Sequence, residues 1–135
     1  MRRKKLVPFL CVMICMMAMV IPSFARASDQ IEYHSVDVMS NNGQIYVDFS
    51  VDGTGSMQKI GCESIYIYES SSGRLVESLD ENDTGMSRWN ARKFSNVVSA
   101  DCEVGTRYRI RVTIFAEDSA GRDTRSQTFY VTGQA

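Results

Sequence analysis

Thr106-Arg107-Tyr108-Arg109-Ile110-Arg111-Val112-Thr113-Ile114-Phe115-Ala116 is the stretch on which the fold turns. Tyr108, Ile110, Val112 and Ile114 fall on one side, and Arg107, Arg109, Arg111 and Thr113 on the other. Side chains on a strand alternate with a period of two, so this pattern predicts a strand with one buried and one wet face. A turn at Ser119-Ala120-Gly121-Arg122 leads into 123–132, where Thr128 and Tyr130 alternate with Phe129 and Val131.

The same period runs upstream. Over 44–52, Ile45, Val47, Phe49 and Val51 alternate with Tyr46, Asp48 and Ser50, behind an Asn42-Gly43 hairpin signal and a first strand at 31–40. A Gly-rich connection (Gly53, Gly55, Gly61) precedes 64–69, where Ile65 and Ile67 share one face and Tyr66 and Tyr68 the other. Ser71-Ser72-Gly73 turns the chain into a short strand at 74–79, with Leu75 and Leu79 in phase. Residues 80–85 predict a solvated loop, and Phe94 and Val98 mark a further strand at 93–100. Seven short strands separated by turn signals predict an all-β, antiparallel sandwich. No stretch of 28–135 repeats at a period of 3.6 over more than two turns, so helices are minor there.

The first 27 residues read differently. Arg2, Arg3, Lys4 and Lys5 precede an apolar run at 6–21, then Pro22 and an A-x-A site at Ala25 and Ala27. That order predicts a secretory signal peptide at 1–27 and a single domain at 28–135. An uncleaved anchor is the rival, since 6–24 nearly reaches the ~20 apolar residues of a membrane span. With cleavage the protein is expected to be secreted, with no stable membrane insertion. The whole chain carries 15 Lys and Arg against 16 Asp and Glu, but five of the basic residues lie in the signal. The remaining chain therefore has ten basic and sixteen acidic residues, net −6. A phosphate-binding footprint is opposed by that charge, so nucleic acid is not an expected partner.

Cys62 and Cys102 remain after cleavage. Export would place them where a disulfide persists, contributing on the order of 4 kcal/mol in the chain-entropy model. Two free thiols are the alternative.

Gly105-Thr106-Arg107-Tyr108-Arg109-Ile110-Arg111-Val112, with Ala116, Gly121 and Val131-Thr132, resembles the final two strands of fibronectin type III and related immunoglobulin-like modules. The resemblance implies an immunoglobulin-like (fibronectin type III-like) β-sandwich of about seven strands. It also implies that Tyr108 is a tyrosine corner, its hydroxyl bonded back to main chain. Gly53-Thr54-Gly55-Ser56-Met57 with Ile60-Gly61 is similar to small secreted single-domain proteins of unknown function from Gram-positive bacteria, which implies location and fold but no activity.

Catalytic constellations are scarce. His34 is the only histidine, and no nucleophile or carboxylate stands beside it in a catalytic spacing. One His and two distant Cys give no zinc spacing, so neither metal nor cofactor is expected. Asp80, Glu81, Asn82 and Asp83 offer oxygen ligands without the spacing of an EF-hand loop. Trp89 either plugs one end of the core or stands exposed as a sugar-stacking platform.

The strands at 64–69 and 106–116 neighbour each other in such sandwiches, which would gather Tyr66, Tyr68, Arg109 and Arg111 on one outward face. Tyr and Arg are enriched at binding hot spots. These residues either hold a partner or cover the sheet. The sequence thus predicts a non-catalytic exported module that recognises an extracellular protein or glycan. The alternatives are a structural domain without a specific ligand and a small secreted hydrolase built on acidic residues.

Overall fold

Six strands, β1 (Ile31–Asn41), β2 (Gln44–Glu69), β3 (Leu75–Asp80), β4 (Ser87–Asp101), β5 (Arg107–Asp118) and β6 (Gly121–Thr132), form one antiparallel sheet in a computed structural model. The structure describes residues 29–135, and the expected signal peptide at 1–27 lies outside the described residues.

Among the described residues the architecture is all-β, but the strands number six and not the expected seven. The stretches 44–52 and 64–69 are the two halves of one 26-residue strand, β2. The Gly-rich segment between them bends the strand without ending it. Pairing with β1 stops at Gly53, and the register with β4 shifts between Asp52 and Met57 before resuming. Glycine is needed at this bend because a Cβ on Gly53 would meet Met57 Cγ at 2.8 Å and Gly55 O at 2.9 Å. Turn signals in the sequence therefore mark a change of direction here, since ladder bonds to β4 continue past it.

The two halves of β2 have different neighbours. The first pairs with β1 (Val38↔Val47) and β4 (Val47↔Val98), and the second with β5 (Ile67↔Ile110) and β3 (Ile65↔Leu79). β6 lies beyond β5, and β3 and β4 follow each other along one edge of β2. The sheet curls until the start of the described chain reaches its far edge. Gln30 Nε2 donates to Asp118 Oδ1 at 3.2 Å, and the Ile31 N–H to Asp123 Oδ2 at 3.2 Å. At the other end Asn42 and Gly43 both take positive φ (52° and 71°), as a two-residue type I′ hairpin requires.

Inside the curl lie Ile45, Val47, Phe49 and Val51 from the first half of β2, with Ile65 and Ile67 from its second half and Ile110, Val112 and Ile114 from β5. Each such burial stabilises by about 1.5–3 kcal/mol. Phe49 stacks on Phe94 with ring centroids 5.8 Å apart. Met86, just past the expected loop at 80–85, also enters this core, while Asn82, Asp83 and Thr84 within that loop are exposed.

Cys62 and Cys102 are both free thiols, which overturns the disulfide reading. Cys62 stands opposite Ile114 on β5, whereas Cys102 sits beside Glu103, whose N–H donates to the Tyr108 hydroxyl. From Tyr108 to Ile114 the strand advances about 20 Å, well beyond the ~7 Å that a bridge spans. Among the described residues no helix is long and apolar enough to cross a membrane.

Candidate functional site

Alternation sends Arg107, Arg109 and Arg111 of β5 outward, while Thr113 and Phe115 farther along the same side are buried, and the ladders on either side decide what each arginine meets. Arg109 lies between Tyr68 of β2 and Tyr130 of β6, and Arg111 between Tyr66 and Thr128. All four residues singled out from the sequence, Tyr66, Tyr68, Arg109 and Arg111, therefore share one face across two adjacent strands. The Arg109 guanidinium carbon rests 4.6 Å from the Tyr68 ring centroid, and that of Arg107 rests 5.4 Å from Tyr130. Tyr66 and Tyr68 are tilted 38° with centroids 6.4 Å apart. Tyr130 and Arg107 extend the patch, and the alternation of 128–131 already carried the signal for Tyr130.

The charge on this patch is uncompensated. Of the ten basic residues described, Lys59, Arg74, Arg92, Lys93, Arg122 and Arg125 each stand within 4.0 Å of a carboxylate. Arg107, Arg109 and Arg111 are three of the remaining four. Their nearest cross-strand neighbours are neutral: Tyr66, Tyr68, Thr128, Tyr130 and Thr132.

The other end of the same face is closed on itself. Arg122 Nη1 and Nη2 donate to Glu81 at 2.9 and 3.0 Å, Nη1 also to Glu63 at 2.9 Å, and Nε to Glu117 at 3.2 Å. Lys59 Nζ reaches Glu81 at 2.9 Å and Asn82 at 3.1 Å. The bulge between Cys62 and Ser64 is what aims Glu63 at the cluster. Hydrogen bonds from Arg122 hold the Glu81 carboxyl below its ordinary range, and Glu81 in turn pushes the guanidinium further up. Phe115 lies beneath Arg122, 4.2 Å from its guanidinium carbon. Every strong donor here has its acceptor, so the cluster fastens the segment after Asp80 to the sheet. Sequence reasoning missed it because its members are scattered from 59 to 122 and only the register unites them.

Other predicted positions fall elsewhere. Trp89 is 64% exposed on β4, with Lys59 Nζ 4.8 Å from its ring, so it does not plug the core. Tyr108 is buried, and its hydroxyl accepts the Glu103 N–H at 2.8 Å. His34 is half-buried on β1 opposite Val51. Among the described residues no group of three His, Cys, Asp or Glu side chains is placed to hold a metal ion. Two hollows open on other surfaces, one of about 390 Å³ bordered by Arg88, Lys93 and Phe94, the other of about 300 Å³ bordered by Asp37, Tyr46 and Asp48.

No protein-family model and no curated protein matches this chain. Function must then be read from the geometry of the face itself.

Proposed function

We propose that the protein is an exported, non-catalytic recognition module whose contact surface is the Tyr66, Tyr68, Arg109 and Arg111 face. The observation that carries this reading is the cross-strand interleaving of these rings and guanidinium groups with no carboxylate partner. Arginine stacked on an aromatic face is pre-organised for planar hydrogen bonding and gains cation–π energy of about 0.5–1 kcal/mol when exposed. Export is supported by the basic, apolar and small-residue order of 1–27.

The fold we propose is a six-stranded variant of the immunoglobulin-like, fibronectin type III-like sandwich. The pairing supports it: β1, the first half of β2 and β4 are neighbours, and so are the second half of β2, β5 and β6. Separating β2 into its halves turns these groups into the first, second and fifth strands and the third, sixth and seventh of that family.

Tyr66→Ala and Arg109→Ala test the function. Both residues face solvent, so folding is expected to persist while retention on intact cells, envelope fragments and arrayed glycans falls several-fold. Undiminished binding by both variants would remove the recognition face and leave a structural domain.

A further inference from the structure

Resting on that reading, we propose that the ligand of the Tyr/Arg face is an acidic polysaccharide, its anionic groups held by Arg107, Arg109 and Arg111 and its rings stacked on Tyr66, Tyr68 and Tyr130. Three arginines at alternate positions of one strand stand about 7 Å apart, a ladder of like charge that repels itself until an anion lies along it. The rest of the chain is acidic, with net charge −6 over the described residues, so a strip without a carboxylate partner is a local reversal of sign. Charge complementarity selects a polyanion.

The dimensions select a polymer over a globular partner. From Arg107 to Arg111 the strip runs about 14 Å, and from β2 to β6 about 10 Å. A stable protein interface takes about 800 Å² from each side, several times that footprint. One extended chain fits. The rings select sugar over an acidic peptide, because Tyr66 and Tyr130 are exposed beside the guanidinium groups and Tyr68 is half-buried between them, with Arg109 and Arg107 leaning on one side of Tyr68 and Tyr130.

Calorimetric titration of the chain from Ser28 onward tests this with polygalacturonate and dextran sulfate, which carry carboxylate and sulfate on sugar, against neutral dextran, polyglutamate and oligothymidylate. Binding to one or both acidic polysaccharides, weakened as ionic strength rises, is expected, and which of the two binds identifies the anionic group. Arg109→Ala combined with Arg111→Ala should lower affinity about tenfold or more, on the scale of a hot-spot loss. Tyr66→Ala should lower it with the charge intact. Arg88→Ala with Lys93→Ala, in the separate basic hollow, should change affinity less than about twofold. Equal losses in that control, equal or tighter binding of polyglutamate or oligothymidylate, or no binding to either acidic polysaccharide would each overturn the proposal. In the last case, retention on envelope fragments that still depends on Tyr66 and Arg109 would keep the recognition face and refute only this ligand. Loss of that dependence as well would refute both.

Discussion

The Cys62 thiol donates to the Thr113 and Ser64 carbonyls, at 3.3 and 3.4 Å, from a position with no solvent contact. Burial pushes its pKa up to about 12, so the thiolate that attacks electrophiles is scarce at any ordinary pH. Cys102 is different: it is only half-buried, and its Sγ lies 3.7 Å from the Ser40 hydroxyl at the rim of the sheet. Ellman's reagent at pH 8 should therefore titrate one thiol rapidly in the folded chain from Ser28 onward, and the second only after denaturation. Cys102→Ser should abolish the rapid phase. Two rapid equivalents would contradict the burial of Cys62, and none without a reductant would revive the disulfide. Neither cysteine's fate was legible in the sequence. Pairing depends on how far apart the ladder places them along β5, and spacing in the chain does not record that distance.

At the scale of an element, residues 81–86 show the same limit. Composition predicts a loop in water at 80–85, and Asp83 and Thr84 are indeed exposed, yet Glu81 within it bridges Lys59 and Arg122, and Met86 just beyond it enters the core. The Lys59 side chain is 7% exposed, so Glu81 compensates a cation that has little water to fall back on. Glu81→Ala should destabilise by about 3 kcal/mol, the lower end of what breaking a buried ion pair costs, since Arg122 keeps Glu63 and Glu117. Glu81→Gln isolates the charge. The folded carboxyl titrates below its ordinary value of 4.5, so its contribution is fully present above that pH. It is lost as pH falls through the folded pKa. The stability gap between wild type and Glu81→Gln in urea should accordingly be widest at neutral pH and close in acid below about 4.5. A gap that stays constant across that range would mean that Glu81 acts through shape and not charge. Alternation, by contrast, made the Tyr/Arg face legible: a period of two fixes which side chains point outward. The adjacency of the two strands was expected from the sandwich resemblance alone, and the ladder pairing Tyr66 with Arg111 and Tyr68 with Arg109 supplies it.

At the scale of the whole molecule, β2 decides whether the protein is one unit or two. It alone pairs with both groups of strands, and the glycine bend at 53–57 joins its halves. The sequence divided it in two because Gly53, Gly55 and Gly61 are turn residues by composition. Nothing local says that the ladder to β4 resumes at Met57 opposite Ala91. A hinge at the bend would let the halves melt separately. The packing opposes this, since one continuous cluster contains Ile45 from the first half and Ile110 from β5, which pairs with the second half at Ile67, both essentially without solvent contact. Removing one methylene from either side should then weaken the same cooperative structure. Ile45→Val and Ile110→Val are each expected to cost about 1 kcal/mol and to lower a single melting transition by about 5 °C. Their urea transitions should keep the wild-type slope, because the surface exposed on unfolding is unchanged. A biphasic melt in which Ile45→Val moves one phase and Ile110→Val the other would show that the bend separates two cooperative units, with the Tyr/Arg face supported by the second alone.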